Sequence, residues 1–282
     1  MAKPAFVTDS TSYLPEELRR RHEIQVIPQV LVWGGETLLD GVDIMPTAFY
    51  ERLKTADVMP TTSQAPIGAF KDLFEPHVRA GRPVLAILVS QKLSGTIQSA
   101  QSAKDMFPGA RIEIVNSEST AMAMGFQVLA AARAAEAGKS FDEVLAVAKD
   151  ARNHTGVVLV VDTLEFLHRG GRIGGAARLL GTALNLKPIL ELQDGVIEAV
   201  ERVRTRSKAQ ARLLSLLEER INGRPNLRLA VLHAAAEQEA RQLLDEAAKR
   251  LNPMETVFSE VSPVVGAHVG PGTLGLCYSV DL

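Results

Sequence analysis

The sequence predicts an α/β protein of two domains, and three observations lead to this fold class. The chain has 282 residues, about twice the roughly 150 residues of an average domain. Its first half alternates short apolar runs with helix-type stretches, a pattern typical of parallel sheets covered by helices. Its second half carries strand-like runs and an Asp-Gly turn signal, which indicate a mixed or antiparallel sheet. The expected domains are residues 1–155 and 156–282.

In the first half, short apolar runs predict strands at residues 5–8, 24–27, 84–89 and 112–115. Pro15 followed by Glu16 and Glu17 predicts the start of a helix, because proline is tolerated in the first turn and acidic side chains favour the positive end of the helix dipole. The Ala-rich stretch 121–137, which ends near Gly138, predicts a buried helix.

In the second half, the apolar runs predict strands at residues 156–161, 188–192, 196–204, 227–232, 256–261 and 273–280. Asp194 and Gly195 separate two of them and tolerate the positive φ angles of a tight hairpin turn. Two amphipathic stretches, 208–221 and 237–251, predict helices that cover one face of this sheet.

Composition excludes several classes of function. Lys and Arg number 31 against 33 Asp and Glu, a formal net charge of −2, so no overall positive field attracts nucleic acid. The one cysteine, Cys277, excludes an intramolecular disulfide and a multi-thiolate metal site. No apolar run reaches the roughly 18 residues of a membrane-spanning helix, and the N-terminal residues lack a secretory signal. We therefore expect a cytoplasmic protein with no integral membrane segment and no nucleic-acid partner.

A glycine-rich segment, residues 270–275, matches the dinucleotide-binding pattern G-x-G-x-x-G letter for letter. That motif needs a preceding strand, a following helix and an acidic residue about 20 positions on. Only seven residues follow Gly275. The segment is therefore interpreted as a turn that enters the last strand.

Two hydroxyl-bearing segments of the first half are candidate ligand contacts. The Ser-Gly-Thr segment at 94–96 follows the strand at 84–89 and opens a helix, and ligands of α/β sheets bind at such places. The alternative is that Ser94 or Thr96 only caps that helix. The Thr-Thr-Ser-Gln loop at 61–64 offers neutral donors for a carboxylate, or forms a capped turn before the next helix.

Two segments of the second half combine charge with glycine. Residues 168–175 place two arginines among four glycines, which suits close approach to a carboxylate or phosphate and equally suits a solvated hinge loop. His268 lies between Gly266 and Gly270 in a flexible-looking stretch. A lone histidine is more often structural than chemical.

Two alternatives would give the protein a catalytic or metal-binding role. Nucleophilic catalysis would pair Ser94 with a base such as His268, but the nucleophile-elbow pattern G-x-S-x-G is absent. Asp9, Asp40 and Asp43 suggest a metal or acid–base site, while their loop positions are equally typical of turns and caps.

Taken together, these segments resemble the DegV family. The resemblance covers nearly the whole chain, and the motifs occur in the family's order. They are Val7-Thr8-Asp9-Ser10-Thr11-Ser12, Asp40-Gly41-Val42-Asp43-Ile44, Thr61-Thr62-Ser63-Gln64, Ser94-Gly95-Thr96, Arg169-Gly170-Gly171-Arg172 and the stretch 268–272. Each motif alone is weak, whereas the ordered set is specific.

The resemblance implies a fold and a function. The fold would combine an N-terminal three-layer α/β/α domain, with a mainly parallel sheet, and a smaller two-layer C-terminal domain with a mixed sheet. The function would be non-catalytic binding of a long-chain fatty acid such as palmitate between the domains, with no cofactor. Similar proteins present the acyl carboxyl group to a separate, dihydroxyacetone-kinase-like fatty acid kinase subunit, which uses ATP to make the acyl phosphate.

The resemblance also assigns roles to residues of this chain. The hydroxyls of Thr62 and Ser94 and the amide of Gly95 would hold the carboxylate. His268 would approach it from the second domain. Thr62 rather than Thr61 is chosen because it directly precedes Ser-Gln, as in the family's pattern.

Two arginines complete the expected site. Arg169 and Arg204 would lie near the carboxyl end and serve the transferred phosphate or the kinase contact.

The competing hypotheses are a hydrolase or phosphoryl-transfer enzyme that uses the same pocket, and an interaction module that binds no lipid.

Overall fold

The computed structural model describes residues 3–181 and 186–282. In these residues the strands are β1 (Ala5–Asp9), β2 (Ile24–Ile27), β3 (Val30–Trp33), β4 (Glu36–Leu39), β5 (Thr61–Ser63), β6 (Val84–Leu88), β7 (Ile112–Asn116), β8 (Thr155–Val160), β9 (Lys187–Gln193), β10 (Val196–Val203), β11 (Arg228–His233), β12 (Glu255–Glu260) and β13 (Leu274–Ser279).

The α-helices of the same residues are α1 (Glu16–Arg21), α2 (Pro46–Leu53), α3 (Ile67–Arg79), α4 (Thr96–Lys104), α5 (Ala121–Glu136), α6 (Phe141–Asp150), α7 (Glu165–Arg169), α8 (Arg206–Ile221), α9 (Glu237–Leu251) and α10 (Pro263–Val269). Short 3-10 helices cover Ser10–Ser12, Ala151–His154 and Gly174–Leu179. Every strand and helix whose bounds the sequence predicted is present, with ends that differ by at most two residues. None of the described helices has both the length and the apolar composition needed to span a bilayer.

A four-stranded parallel sheet forms the centre of the N-terminal half, in the order β2-β1-β6-β7. Strands β1 and β6 are buried along their whole length, which explains their unbroken apolar runs in the sequence. Phe70 and Phe74 of α3 belong to the core on one face of the sheet. Phe126 of α5 belongs to the core on the other face. The expected three-layer α/β/α arrangement is confirmed.

A six-stranded mixed sheet forms the C-terminal half, in the order β10-β9-β8-β13-β11-β12. Strands β11 and β12 run parallel, whereas the other neighbours are antiparallel. Leu213 and Leu217 of α8 and Leu243 of α9 fill the core on one face. The mixed sheet and its two covering helices confirm the sequence prediction.

Helix α5 connects the two halves. Twelve of its sixteen residues are buried, because it packs on the parallel sheet and also contacts β8 and β13 of the mixed sheet. Val157 and Leu159 of β8 therefore share one core with Leu85 and Ile87 of β6. The small alanine side chains of α5 allow this close approach on several sides.

The hairpin between β9 and β10 has the predicted turn. Asp194 has φ 49° and Gly195 has φ 79°, as a two-residue turn with both central residues in the left-handed region requires. Gln193 pairs with Val196 directly before and after this turn. The hydroxyl of Ser90 donates a hydrogen bond of 2.7 Å to the Gly195 carbonyl, which fastens the hairpin tip to the N-terminal half.

A third, antiparallel sheet in the order β4-β3-β5 is a feature that the sequence did not predict. Residues 61–64 were interpreted as a loop, but Thr61–Ser63 form strand β5 on the edge of this sheet, with Thr62 opposite Leu31. The strand has three residues, and its threonine and serine side chains are partly or fully exposed, so no apolar alternation marks it.

The stretch around His268 is also more regular than predicted, because Pro263–Val269 form helix α10 with proline in its first turn. Gly266 allows α10 to pack on α2, since a methyl group there would come within 2.6 Å of the Tyr50 hydroxyl. Gly270 and Gly272, at φ 75° and 79°, then turn the chain into β13. The interpretation of 270–275 as a turn before the last strand is confirmed.

A candidate lipid-binding cavity

A cavity lined by residues of both halves offers about 90 Å³ to the centres of water-sized molecules. Its wall consists mainly of aliphatic side chains. They come from β8, β9, β10, β11, α5, α7 and α10 and from the loops after β6 and β12. These are Val89, Leu93, Ala121, Val157, Leu159, Leu167, Leu192, Ile197, Leu232, Val261, Val264, Val265 and Val269.

Thr62 and His268 meet at the wall of this cavity. Thr62 is held on β5 by pairing with β3, and His268 lies near the end of α10. Thr62 Oγ1 and His268 Nε2 are 2.7 Å apart and share a hydrogen bond, although 206 positions separate them in the chain. The structure therefore brings together two residues that the resemblance placed in one site.

His268 is neutral in this position. Burial lowers its pKa to about 4, and the positive charge of Arg172 adds to the effect. Its Nδ1 is buried and has no hydrogen-bond partner in the described part of the chain. This nitrogen lies directly against Gly170, where a methyl group would overlap it. A ring that carries its proton on Nε2 can donate to Thr62 and leave the threonine O–H free for a ligand.

Ser94 lines the same cavity at the end of the loop that leads from β6 to α4. Its Oγ lies 2.8 Å from Thr96 Oγ1 and accepts a hydrogen bond of 3.3 Å from the Thr96 amide. The buried Gln29 side chain donates to Thr96 Oγ1 at 2.8 Å and can accept from it at 3.1 Å. When Thr96 donates to Ser94 instead, the Ser94 O–H is free to bind an anion.

Gly95 precedes α4 as its N-cap residue, so the sequence correctly placed this segment at a helix start. A methyl group on Gly95 would come within 3.1 Å of the Gln64 side chain. The lack of a side chain therefore lets the loop after β5 approach the start of α4. Gln64 contributes to the cavity wall, whereas Gly95 is not among the lining residues.

The arginine of the cavity is Arg172, and neither Arg169 nor Arg204 lines it. Arg169 is 57% exposed and forms an ion pair with Glu165 one turn away. Arg204 is exposed on the bend after β10. The structure therefore places these two residues outside the cavity wall, and their role at the transferred phosphate or the kinase contact stays a prediction.

Arg172 reaches the cavity because the chain turns at Gly171, which has φ 69°. Its Nε donates to the Leu93 carbonyl at 3.0 Å, and its Nη1 donates to the Gly170 carbonyl at 2.7 Å. These bonds place a positive charge beside Ser94 and near His268. The Gly-Gly-Arg spacing at 170–172 was a signal for this residue, which lines the cavity while Arg169 of the same motif does not.

Three other hydroxyl groups of the cavity wall are already used inside the protein. Thr11 Oγ1 donates to Asp9 at 2.6 Å, Thr120 Oγ1 donates to the Thr11 carbonyl at 3.3 Å, and Thr273 Oγ1 donates to the Val269 carbonyl at 2.9 Å. Tyr13 also lines the wall, and its buried hydroxyl has no hydrogen-bond partner among the described residues. A second group of polar side chains lies around Thr62, Ser94, Arg172 and His268. The site offers neutral donors and one cation beside a long apolar wall.

The geometry favours holding an anion over nucleophilic attack. Ser94 Oγ bonds with Thr96, whereas His268 bonds with Thr62. No carboxylate of the described residues supports His268 Nδ1, as the third member of a catalytic triad would. The serine and the histidine of the cavity therefore do not form the relay that hydrolysis requires.

The three aspartates that suggested a metal or acid–base site have structural contacts. Asp9 accepts hydrogen bonds from the Thr11 amide at 3.0 Å and the Val89 amide at 2.8 Å, and burial raises its pKa. Asp43 is exposed and accepts from the Leu39 amide at 2.8 Å. The interpretation as caps and turns fits these two residues, while Asp40 has a more central position.

Gln29 is the polar residue of the site that the sequence analysis missed. It is 2% exposed, and besides its contacts with Thr96 it accepts a hydrogen bond of 3.0 Å from the Ala65 amide. It thereby joins the start of α4 to the loop after β5. No local pattern marks it, because its partners lie 36 and 67 positions away.

Comparisons with known proteins agree with this geometry. The family model described as "Uncharacterised protein, DegV family" matches residues 3–281. A DegV domain-containing protein of Streptomyces coelicolor is 39% identical over 277 residues, which cover 98% of each chain. Protein DegV of Bacillus subtilis is 36% identical over 275 residues, covering 97% of this chain and 98% of that protein.

Solved structures show the same likeness. One described as fatty acid binding of a DegV family protein from Thermus thermophilus superposes with a TM-score of 0.94 at 36% identity, covering 99% of this chain and 100% of that one. The structure of DegV, a fatty acid binding protein from Bacillus subtilis, superposes with a TM-score of 0.91 at 34% identity over 100% of both chains. On its sequence, its fold and its family match, this chain belongs to the DegV family.

Proposed function

We propose that this protein binds a long-chain fatty acid, with the carboxylate beside Thr62, Ser94 and His268 and the acyl chain along the aliphatic wall. The observation that carries the proposal is the composition of one cavity, where Thr62, Ser94, Arg172 and His268 form a polar cluster and aliphatic side chains form most of the remainder. The related proteins described as fatty acid binding support the same ligand class.

The energetics of this ligand suit the site. Burial of an acyl chain is favourable by about 0.8 kcal/mol per methylene. The chain of palmitate thus contributes on the order of 12 kcal/mol before the costs of association. The apolar wall would supply the affinity, and the polar cluster would fix the orientation of the carboxylate.

The head group would be held mainly by neutral groups. Thr62 and Ser94 can each donate an O–H once His268 and Thr96 act as donors to them. Arg172 adds positive charge, but its Nε and Nη1 are engaged by backbone carbonyls. Such a site releases its ligand more readily than a bidentate arginine pair would.

The proposal extends to a carrier role, in which the protein presents the bound carboxyl group to a separate fatty acid kinase subunit for acyl-phosphate formation. A breakable set of neutral donors supports this role. The exposed Arg169 and Arg204 are available to meet a partner or the transferred phosphate. The protein itself would act as a binding subunit without a cofactor.

The first experiment is native mass spectrometry of freshly purified protein, followed by solvent extraction and identification of the released compound. A one-to-one adduct with the mass of a C16 or C18 fatty acid supports the proposal. A clean protein mass, together with no binding of added palmitate or oleate, contradicts it.

The head-group assignment predicts a loss of affinity in Thr62→Val and Ser94→Ala. Each change removes one hydrogen bond to a carboxylate, which contributes about 1.5–3 kcal/mol. We expect the Kd for palmitate to rise roughly tenfold or more in each variant. Thr37→Val and Ser207→Ala, which change exposed hydroxyls on β4 and α8, are the matched controls. Equal affinity in the double variant Thr62→Val/Ser94→Ala and in the wild type contradicts the assignment.

The carrier role predicts that Arg169→Ala and Arg204→Ala separate binding from transfer. Both side chains are exposed and lie outside the cavity, so palmitate affinity is expected to stay within twofold of the wild type. With a fatty acid kinase subunit and ATP, acyl-phosphate formation is expected to fall by roughly tenfold, the effect of losing about 1.4 kcal/mol at a charged contact. Transfer at the wild-type rate in the double variant excludes a role for these arginines.

A further inference from the structure

Asp40 is a buried carboxyl group near the candidate head-group site, which is the cluster of Thr62, Ser94, Arg172 and His268. It follows β4 and is 2% exposed. Its Oδ2 accepts a hydrogen bond of 2.6 Å from the Ser10 hydroxyl, and its Oδ1 accepts one of 3.4 Å from the Val264 amide. One carboxyl group thus contacts both the segment after β1 and the first turn of α10.

The Ser10 contact leads to Ser94. Ser10 Oγ also accepts a hydrogen bond of 3.1 Å from the Gln29 amide. The Gln29 side chain bonds with Thr96 Oγ1, and Thr96 bonds with Ser94. Each step of this path is a direct hydrogen bond or the covalent structure of one residue.

The Val264 contact leads to His268. Both residues belong to α10, one turn apart, and both line the cavity. The helix is fixed on its other side by the close packing of Gly266 against Tyr50. A shift of the first turn of α10 would therefore move His268 relative to Thr62.

We propose that Asp40 is a positioning residue that joins the Ser94 side and the His268 side of the head-group site, so that the stability of the closed site depends on pH. The closed site is the arrangement in which His268 bonds with Thr62 and Asp40 bonds with Ser10 and the Val264 amide. The inference rests on the proposed function, since it concerns how firmly the fatty acid is held. Asp40 does not line the cavity and acts through Ser10 and α10.

The groups that face Asp40 determine the direction of the effect. Burial raises its pKa to about 6, while the hydroxyls of Ser10 and Ser262 and the Val264 amide oppose the rise. The negative charge of Asp9, at the end of β1, raises it further. No cation of the described residues is among the groups that act on it.

Two phenols also face Asp40. Tyr13, which follows the 3-10 helix Ser10–Ser12, and Tyr50 of α2 both have a pKa raised well above the usual value by burial. They therefore carry no charge between pH 5 and 8. The pKa of His268, at about 4, lies below this range, so His268 stays neutral across most of it.

The sign of the pH effect follows from these values. A carboxyl group whose pKa is raised in the closed site favours closure when it is protonated. In an opened site, contact with water returns its pKa toward about 4. As the pH rises from 5 to 7.5, ionised Asp40 therefore destabilises the closed site, and the fatty acid is expected to exchange faster.

The test measures the dissociation rate of deuterated palmitate, by exchange against unlabelled palmitate and native mass spectrometry, between pH 5 and 7.5. The ionisation of palmitate itself is common to all variants. We expect the wild-type rate to increase up to roughly tenfold more than that of Asp40→Asn, which carries no charge at any pH. Asp43→Asn, a change to an exposed carboxylate of the same loop, is expected to follow the wild type.

A second variant tests the same link without removing the carboxyl group. Because the Ser10 hydroxyl lowers the pKa of Asp40, Ser10→Ala is expected to move the midpoint of the rate increase to higher pH. Identical pH profiles of the wild type, Asp40→Asn and Ser10→Ala overturn the role of Asp40 and leave the proposed function intact. Failure of the wild type to retain palmitate at any pH overturns the proposed function itself.

Discussion

Gly170→Ala is expected to weaken palmitate binding by at least roughly tenfold and to destabilise the protein by about 1–3 kcal/mol, the usual cost of added volume in a packed interior. The backbone of Gly170 has φ −75° and ψ −7°, which alanine adopts without strain. The main cause is steric, because the new methyl group would overlap Nδ1 of His268, and it would also come within 3.1 Å of the Phe166 carbonyl. Displacement of the ring breaks the hydrogen bond between His268 and Thr62.

A double-mutant cycle separates this cause from a general disturbance of the loop. His268→Ala makes room for the methyl group, so the double variant Gly170→Ala/His268→Ala is expected to be more stable than the sum of the single changes indicates, by roughly 1–3 kcal/mol. Palmitate affinity is not expected to recover, since the ring is absent. Gly68→Ala is the matched control, because Gly68 lies in α3 with open space around it. Additive free energies of unfolding contradict the packing argument.

His268→Gln is expected to remove a pH dependence of about 3 kcal/mol from the free energy of unfolding. The pKa of His268 is about 4 in the folded protein, whereas an unfolded histidine has a pKa of about 6.5. Below pH 6.5 the unfolded chain takes up a proton that the folded protein excludes. The stability contributed by the neutral ring is therefore complete above pH 6.5 and is lost as the pH falls toward 4.

Asp40 has the opposite effect on the wild type. Its raised pKa, about 6, means that the folded protein binds this proton at a higher pH than the unfolded chain does. The stability linked to protonated Asp40 is therefore lost as the pH rises through 6. The two effects partly cancel between pH 4 and 6, so the wild-type profile alone is uninformative.

The difference between His268→Gln and the wild type isolates the histidine. Measured by urea unfolding at several values between pH 4 and 7.5, the stability of the variant relative to the wild type is expected to increase continuously as the pH falls. A constant difference across this range shows that His268 does not titrate with a lowered pKa. The same series with Asp40→Asn is expected to change in the opposite direction.

Most of the fold could be predicted from the sequence because it depends on local patterns. The apolar runs of β1 and β6 and the hydrophobic periodicity of α8 and α9 show which side chains of each element are buried. This burial pattern can be recognised without knowing where the element lies in the fold. The Asp-Gly turn between β9 and β10 is set by the backbone freedom of two residues. Strand β5 and helix α10 were missed because their short lengths carry too few positions for a periodic pattern.

The site could be predicted only in part. The ordered motifs indicated Thr62, Ser94 and His268, and all three line one cavity. The sequence could not distinguish Arg172 from Arg169, because which arginine points inward depends on the turn at Gly171 and on a carbonyl 79 positions away. Gln29 carried no signal, since its role arises from partners on α4 and after β5.

The sequence by itself determined the family, the order of the secondary structure and the presence of hydroxyl groups suited to a carboxylate. Tertiary structure decided which of those groups can act together, because hydrogen bonds such as that between Thr62 and His268 join residues from separate elements. It also placed the Asp40 carboxyl group in contact with both Ser10 and the first turn of α10. Local patterns record the burial of each element, whereas a binding site depends on distances between elements, which only packing fixes.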